Sequence, residues 1–408
     1  MICPKCGKTS SCDKPSCPLK SRELFAKSSK FSFKKDFFGT TPNVFVGHYG
    51  YPNINVGLLS TDYSDEAIDN PLKWSKENYD INKIVNLRTT LVNSKFASNI
   101  RSPTFSKKSV LDNISKEISL APRKVDTEIH LKRAPSLSLN TNHEATPHGP
   151  SVPVKSAEIT ENVKIPTKID KVVSDDEFKA APALRELYKK HFDEHYLTKI
   201  LSMGNLGVAN QRKLVPTRWS ITAVDDTLGK NLLKEISDCS NSLGPVSFFG
   251  GHLENYFLIL FFPGKWSFDF IENYSFDMDS SNPANNIKFD MDSEGYQGRK
   301  EYAHNTAGAY YASKLAILEY LKKNKRQSSV IILRFTTTDY YASLGVWVVR
   351  ETLRKILKDK PLEFGSEDLM LKYAKKLILK KFNYDMSHIL SISKILDSRK
   401  HQRSLIDF

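Results

Sequence analysis

The sequence has no apolar run that could cross a membrane. Its longest uninterrupted apolar stretch, residues 256–262, has seven residues and ends at Pro263, whereas a transmembrane helix needs about 20. The first 30 residues hold four cysteines and many lysines in place of the apolar centre of a secretory signal. These absences exclude a helical membrane protein and predict a chain that works in the cytosol.

The sequence also lacks the glycine-rich loops that hold phosphates, because neither G-x-x-x-x-G-K-[S/T] nor G-x-G-x-x-G occurs. One catalytic pattern does occur: His191, Glu194 and His195 follow the order H-x-x-E-H. In that pattern two histidines one helical turn apart bind zinc beside a glutamate base. No third ligand can be assigned, so partly buried core histidines on a helix are the favoured interpretation.

Cysteine is rare and clustered. Of five cysteines, four follow the spacing C-x2-C-x5-C-x4-C, namely Cys3, Cys6, Cys12 and Cys17. Four thiolates suit the tetrahedral coordination of structural Zn²⁺, and a reducing cytosol favours a metal over disulfides. An iron–sulfur cluster is a further alternative, although the spacings differ from those of ferredoxins. We predict a C4 zinc knob over residues 1–20, which contacts nucleic acid or docks on the body of the protein.

The positive charge of the chain is concentrated at its two ends. The formal net charge is +14, and residues 1–35 and 352–403 each carry an excess of seven, so residues 36–351 are nearly neutral. Clustered Lys and Arg favour a polyanion, because binding releases the counterions of its phosphates. DNA is therefore the predicted partner. RNA is an outside possibility, and basic ends that only maintain solubility are the alternative.

The last seven residues form a short docking pattern. Gln402, Leu405 and Phe408 have the spacing Q-x-x-L-x-x-F, and positions three apart share one side of a 3₁₀ turn. The pattern is similar to the peptide that partners insert into PCNA-type sliding clamps, in which an apolar plug enters a pocket beside the glutamine. Because chain termini are accessible, we predict that a disordered tail, residues 396–408, binds such a clamp.

The body mixes helix and strand patterns without regular alternation. Turn residues between short apolar runs predict a hairpin over residues 41–59. Apolar spacing predicts further strands over residues 124–132, 246–272 and 329–335. It predicts helices over residues 76–100, 109–120, 174–201 and 302–323, and three more after the last strand. We therefore predict an α+β fold, a mixed antiparallel sheet with packed helices.

Acidic residues provide an enzymatic alternative. Asp225 and Asp226 follow residues 219–224, which are predicted as a strand, and precede a predicted helix. Carboxylates suit Mg²⁺, and a second group could complete a two-metal site for phosphodiester cleavage. That second group consists of Asp290, Asp292 and Glu294. The function would then be that of a metal-dependent nuclease or a nucleotide-processing repair enzyme. Helix capping by Asp225 or Asp226 is the favoured alternative.

Three arginines are candidates for phosphate contacts, because a guanidinium group binds phosphate with two hydrogen bonds. They are Arg218, Arg334 and Arg350. Each could equally serve as the partner in a structural ion pair, so these residues alone do not decide between the two functions.

Five blocks of sequence carry a family resemblance: FVGHYGYP at 45–52, PHGP at 147–150, LVPTRWSITAVDD at 214–226, YYASKL at 310–315 and GVWVVRE at 345–351. With them the chain resembles the archaeal Nre family of DNA-repair proteins. The resemblance implies repair of DNA damage coupled to the replication clamp, in the archaeal cytosol near the nucleoid. It also implies a C4 zinc finger at the four cysteines and a clamp-interaction motif at the C-terminus.

The resemblance also bears on domain organisation. It implies a large N-terminal domain, residues 21–290, and a smaller, mainly helical domain, residues 291–395, between the zinc knob and the tail. His48 stands where the family often has arginine, so a role of that arginine is not carried over. The resemblance implies no catalytic mechanism.

Overall fold

The computed structural model describes residues 34–106, 108–136, 148–276, 289–337, 339–340 and 342–401. The predicted zinc knob and the predicted clamp-binding motif lie outside these residues. Within them the chain forms two compact units that divide after Leu228. The first unit comprises residues 34–228 with Ala342–Leu344, and the second comprises the other described residues. The predicted domain boundary near residue 290 stays a prediction.

The first unit is built on a closed five-stranded barrel. Its strands are β1 (Asp36–Val46), β2 (Asn53–Thr61), β3 (Val92–Asn99), β4 (Val125–Leu131) and β5 (Ser151–Ile159). Their order around the barrel is β1-β2-β3-β5-β4, and β4 pairs again with β1. The β3–β5 pairing is parallel and the other four are antiparallel. Inward aliphatic side chains such as Ile54 and Ile129 fill the barrel, and their removal from water stabilises it.

Six helices complete the first unit before the chain reaches its last helix. They are α1 (Pro71–Lys76), α2 (Ile81–Thr89), α3 (Val110–Leu120), α4 (Thr167–Ser174), α5 (Ala180–Lys189) and α6 (Glu194–Ser202). Helix α3 connects β3 to β4 and places Ile118 in the core of the barrel. Helix α6 packs on α3 and β1, and Tyr196 on α6 donates a hydrogen bond to the carbonyl of Leu120. The division between the units falls within α7 (Thr217–Ile236).

The second unit is built on a six-stranded sheet in the order β10-β9-β12-β8-β7-β13. These strands are β7 (Val246–His252), β8 (Asn255–Phe262), β9 (Ser267–Phe276), β10 (Phe289–Glu294), β12 (Ser329–Thr337) and β13 (Leu362–Glu363). Central strand β12 pairs antiparallel with β8 and parallel with β9, and all its residues are buried. This burial on both faces explains its continuous apolar sequence. A separate pair is formed by β6 (Ser240–Asn241) and β11 (Arg326–Gln327).

Helices cover both faces of this sheet. Helices α8 (Ala307–Asn324) and α9 (Trp347–Ile356) lie on one face, where Tyr320 contacts the rings of Phe248 and Phe261. The other face packs against α10 (Glu367–Phe382), α11 (Ser387–Ser391) and α12 (Lys394–His401). None of the helices in the described ranges combines the length and hydropathy that a membrane crossing requires.

The predicted α+β class is confirmed, and so are several predicted elements. The hairpin over 41–59 is β1–β2, the helix over 109–120 is α3, and the strand over 124–132 is β4. Strands β7, β8 and β9 occupy residues 246–276, and β12 occupies the predicted buried strand.

Five predictions about the secondary structure are wrong. The predicted helix over 76–100 ends at Thr89 and is followed by β3. The predicted helix over 174–201 is two helices, α5 and α6, because His191 between them has a left-handed backbone (φ 66°). Residues 219–224 belong to α7 and not to a strand, and four helices instead of three follow β12. The last of them, α12, extends past the predicted start of the tail at residue 396.

Candidate functional site

Three large aromatic side chains are exposed at one end of the barrel. Tyr49 and Tyr51 lie in the β1–β2 loop, residues 47–52, and are 72% and 55% exposed. Trp219 lies in the first turn of α7 and is 50% exposed. The ring centroids of Tyr51 and Trp219 are 6.4 Å apart with an interplanar angle of 45°. We call these three residues the aromatic rim.

Backbone hydrogen bonds fix the loop that carries the two tyrosines. The amide of Gly47 donates to the carbonyl of Asn55 (2.8 Å), and the amide of Asn53 donates to the carbonyl of Gly50 (2.9 Å). Gly50 has φ 84°, and a Cβ there would lie 2.8 Å from the Asn53 oxygen, so the turn requires glycine. The carbonyl of Pro52 accepts from the amide of Ile100 (2.9 Å). The loop is therefore tied to both β2 and the end of β3.

A hydrogen bond joins the start of α7 to the same end of the barrel. The amide of Val46, the last residue of β1, donates to Oγ1 of Thr217 at 2.9 Å. The helix begins directly after Pro216, whose carbonyl accepts from the amides of Trp219 (2.8 Å) and Ser220 (2.9 Å). This arrangement brings Trp219 beside the loop, although 168 residues separate it from Tyr51 in sequence.

The barrel surface next to the rim is polar and has no acidic residue in its sequence segments. Outward positions of β2 and β3 include Asn53, Asn55, Lys95 and Ala97, and Asn53 accepts a hydrogen bond from Asn99 (2.8 Å). Residues 47–61, 89–111 and 213–224 contain no Asp or Glu. Basic residues in these segments include the exposed Arg101 and Arg218.

A buried ionic cluster also lies in the first unit. Asp69, at φ 51°, is paired with Arg88 and accepts a hydrogen bond from Nδ2 of Asn43 at 2.8 Å. Its two carboxylate oxygens therefore both have partners within the fold, and we assign this cluster a structural role. Burial lowers the pKa of His148, whose ring Nδ1 lies 2.6 Å from the carbonyl of Gly149.

Lys199 is buried between the barrel and α3. Its Nζ donates to the carbonyls of Ala121 (2.7 Å) and, more weakly, Pro42 (3.4 Å). Burial lowers the pKa of Lys199 to about 8, while the charges of Asp69 and Asp193 oppose this shift. The ammonium group therefore carries a desolvation cost that its two carbonyl partners only partly offset.

The acidic residues of β10 lie in the second unit, and two of them form ion pairs and hydrogen bonds within the fold. Asp292 accepts from the amide (2.8 Å) and Oγ1 (2.9 Å) of Thr306 and pairs with Arg299 (2.9 Å). Glu294 pairs with Nζ of Lys314 at 2.7 Å and accepts from Nε1 of Trp266 at 2.8 Å. Both carboxylates are buried and fix β10 to α8 and to the preceding loop.

Asp290, Asp225 and Asp226 are the other three acidic residues that the sequence suggested as metal ligands. Asp290 is exposed on β10, and Asp225 and Asp226 lie inside α7 in the first unit. The predicted helix-capping role of Asp225 or Asp226 is wrong, because α7 begins eight residues before Asp225. Across the described residues, no group of three or more His, Cys, Asp or Glu side chains could hold a metal ion.

The H-x-x-E-H pattern does not form one helical face. His191 precedes α6, which begins at Glu194, and the side chain of Asp193 caps this helix by accepting from the amides of His195 and Tyr196. Because His191 itself has a left-handed backbone and lies before the helix that carries His195, the predicted one-turn spacing on a single helix is wrong.

The three candidate arginines have different environments. Arg334 is buried on β12, pairs with Glu272 at 2.7 Å and donates to Oδ1 of Asn255. Arg350 is 2% exposed on α9. Arg218 is exposed at the start of α7, so among the three it is the one positioned at the surface, next to the aromatic rim.

Comparison with known proteins decides the family. Residues 11–277 match the family model described as "Archaeal Nre, N-terminal", and residues 294–408 match "Archaeal Nre, C-terminal". The chain belongs to the archaeal Nre family. No solved structure shows a match.

Three Nre relatives cover most of the chain. DNA repair protein NreA of Haloferax volcanii is 36% identical over 322 residues, which is 78% of this chain and 76% of that protein. DNA repair protein NreA of Archaeoglobus fulgidus is 34% identical over 380 residues, with 93% and 94% covered. DNA repair protein NreB of the same organism is 31% identical over 411 residues and covers both chains in full.

Two of the blocks that carry the Nre resemblance meet at the aromatic rim. Block 45–52 contains the β1–β2 loop, and block 214–226 contains Trp219. The rim residues were not among the site residues predicted from the sequence. The local signal for them is a pair of tyrosines in a short loop with two glycines and a proline, because a tight turn leaves little structure to cover large rings.

We expect the buried Lys314–Glu294 pair to be structural. Lys314→Ala should lower the free energy of unfolding by about 3–5 kcal/mol, because it leaves a buried carboxylate without its counter-charge. Replacing both charges, in Lys314→Met/Glu294→Gln, should restore much of that loss. Denaturant unfolding followed by circular dichroism measures both changes.

The matched control is Lys322→Ala on the same helix, which breaks a partly exposed pair with Glu235. It should cost about 1 kcal/mol or less. An equal loss for Lys314→Ala and Lys322→Ala would contradict the structural assignment.

The buried Lys199 predicts a pH-dependent stability. Since its folded pKa is about 8 and its ordinary value is 10.5, the unfolded chain binds this proton more tightly, and folding becomes more favourable as pH rises between these values. Relative to Lys199→Met, the intact protein should gain roughly 2 kcal/mol between pH 8 and pH 10. Denaturant unfolding across this range measures the difference.

The exposed Lys168 provides the control, and Lys168→Met should follow the intact protein at every pH. Parallel stability curves for the intact protein and Lys199→Met would show that Lys199 keeps an ordinary pKa in the fold.

Proposed function

We propose that this protein repairs damaged DNA, contacts DNA directly and is recruited by a PCNA-type sliding clamp. The observation that carries the repair role is family membership with full-length similarity, since all three relatives are named DNA repair proteins. The excess of positive charge at both ends of the chain supports contact with DNA.

The clamp is proposed as the partner of residues 402–408. Leu405 and Phe408 would form the apolar plug, and Gln402 would hydrogen-bond beside it. Tethering to a ring on DNA raises the local concentration of DNA for any weak binding surface of the protein. The tail thus gives a physical reason why modest DNA affinity suffices for repair.

The helix before this motif is anchored to the second unit. Asp269 accepts hydrogen bonds from Oγ of Ser393 (2.6 Å) and the amide of Ile395 (3.1 Å). Arg399 pairs with Glu367 and donates to the carbonyl of Pro263 (3.1 Å). The motif begins one residue after α12 ends. A clamp bound there would therefore be linked to the sheet through a short, fixed helix, which supports recruitment of the folded unit.

The four N-terminal cysteines are proposed to hold one structural Zn²⁺. Cys3, Cys6, Cys12 and Cys17 supply the four thiolates that a closed tetrahedral site needs. A segment this short has no apolar core of its own, so the metal would supply its folding energy.

Clamp binding is tested by Phe408→Ala and by deletion of residues 402–408. Either change should abolish binding to the PCNA-type clamp of the same organism in calorimetry, because the plug that fills the pocket is lost. Circular dichroism and thermal stability should be unchanged.

Ser404→Ala is the matched control, since position 404 is one of the variable positions of the motif, and it should bind like the intact protein. If the deletion variant still binds the clamp with unchanged affinity, the tail is not the docking element.

The metal content tests the cysteine site. The purified protein should contain one zinc per chain by mass spectrometry of the metals, Cys3→Ser should lose it, and Cys239→Ser should retain it because Cys239 is distant from the cluster in sequence. A stoichiometry near zero, or iron in place of zinc, would refute the assignment.

A further inference from the structure

The barrel has the topology of a fold that commonly binds single strands. Its five strands close in the order β1-β2-β3-β5-β4, with a parallel β3–β5 pair and helix α3 between β3 and β4. This is the strand order of oligonucleotide/oligosaccharide-binding barrels, in which the face of the second and third strands and the loop between the first two strands hold the ligand. Fold topology alone does not define a ligand, which is determined by the side chains at that place.

The face that such barrels use is open in this protein at one end. Asn53, Asn55 and Ala97 are exposed on the outward side of β2 and β3. Farther along the same strands the surface is covered, because Leu59 packs with Ile68 and Leu91. The open part is therefore the part next to the β1–β2 loop.

The aromatic rim stands at this open end. Tyr49, Tyr51 and Trp219 each expose half or more of their surface, although burial of such rings would stabilise the fold. The Tyr51 and Trp219 rings are tilted by 45° at a centroid separation of 6.4 Å, and the Tyr49 ring lies against the ring of His48 at 3.9 Å. The exposed parts of these rings are the surfaces that a ligand can contact. Exposed rings in a groove are the surfaces on which unpaired bases stack.

Charge at the same place favours a polyanion. The segments that build the open face contain no acidic residue, although Asp62, Asp112 and Asp225 directly follow them in sequence and Asp112 accepts a hydrogen bond from Ser98 on β3 (2.6 Å). They present Lys95 on β3, Arg101 just after β3 and Arg218 beside Trp219. Guanidinium groups bind phosphate oxygens, and asparagines such as Asn55 can donate and accept hydrogen bonds. An apolar protein partner would not require this charge.

We propose that the β1–β2 loop, the first turn of α7 and the open face of β2–β3 together bind single-stranded DNA. Bases stack on Tyr49, Tyr51 and Trp219, while Arg101, Arg218 and Lys95 contact the phosphates. Duplex DNA keeps its bases stacked inside the helix, so the rings discriminate against it. The proposal rests on the proposed contact with DNA and names the surface and the form of DNA that it involves.

The test measures binding of a fluorescein-labelled oligo-dT to the full-length, zinc-containing protein by fluorescence anisotropy. Tyr49→Ala/Tyr51→Ala and Trp219→Ala should each weaken binding roughly tenfold or more, because each removes a stacking surface. Tyr51→Phe and Trp219→Phe should keep most of the affinity. Unchanged thermal stability would show that the exposed substitutions leave the fold intact.

Phe38→Ala is the matched control for loss of an exposed ring. Phe38 is 68% exposed on β1. It lies eight residues before Val46, whose amide donates to Thr217 at the end of the barrel that carries the rim. The Phe38→Ala variant should bind oligo-dT like the intact protein. Arg218→Ala and Arg101→Ala should each reduce the slope of log affinity against log salt by about one unit or slightly less.

The results of these experiments distinguish a failure of this proposal from a failure of the proposed function. Equal affinity of the aromatic variants and the intact protein would overturn the assigned surface. Preference for duplex DNA, or tighter binding to RNA of matching sequence, would overturn the assigned ligand. Clamp binding by calorimetry should be the same in all these variants, so a failed proposal here leaves recruitment by the tail to be judged by its own experiment.

Discussion

The closure of the barrel determines where the exposed side chains of the first unit lie. Strand β1 pairs with β2 on one side and with β4 on the other, and the parallel β3–β5 pair completes the ring. This closure leaves the β1–β2 loop at one end, where the bond from Val46 to Thr217 also fixes the start of α7. The aromatic rim is a consequence of these two constraints, since neither segment alone would bring three rings together.

The buried charges away from the rim have structural roles. Candidate functional features therefore lie on the surface and at the chain ends. Glu294 with Lys314, Glu272 with Arg334 and Asp292 with Arg299 all lie in the second unit. Each carboxylate is buried and hydrogen-bonded, as the cost of burying charge demands. Residues that a sequence suggests as metal or phosphate ligands can thus be internal ion-pair partners. The proposed functions use the rim, the basic residues beside it, and the two terminal segments.

The sequence predicted β4 from its alternation of apolar residues and β12 from its continuous apolar run, and it missed β3. In β3 the inward positions Ser94 and Ser98 are polar, so the alternation was concealed. Leu91 and Val92 were therefore interpreted as continuing the helical spacing of Ile81, Ile84 and Val85. The barrel closure could not be predicted, because no local pattern indicates which distant strands pair. The two terminal motifs stay predictions, because they rest on spacing alone and lie outside the described residues. The rim was missed because its members come from separate segments.

The most direct test of the binding surface is photo-cross-linking of the intact protein to an oligonucleotide that carries 5-iododeoxyuridine, followed by tryptic digestion and mass spectrometry. Tyr49 and Tyr51 lie in the tryptic peptide of residues 36–73, and Trp219 lies in the peptide of residues 219–230. The account predicts that the cross-linked bases are attached at these three rings. Cross-links confined to peptides of the second unit, with none at the rim, would contradict it.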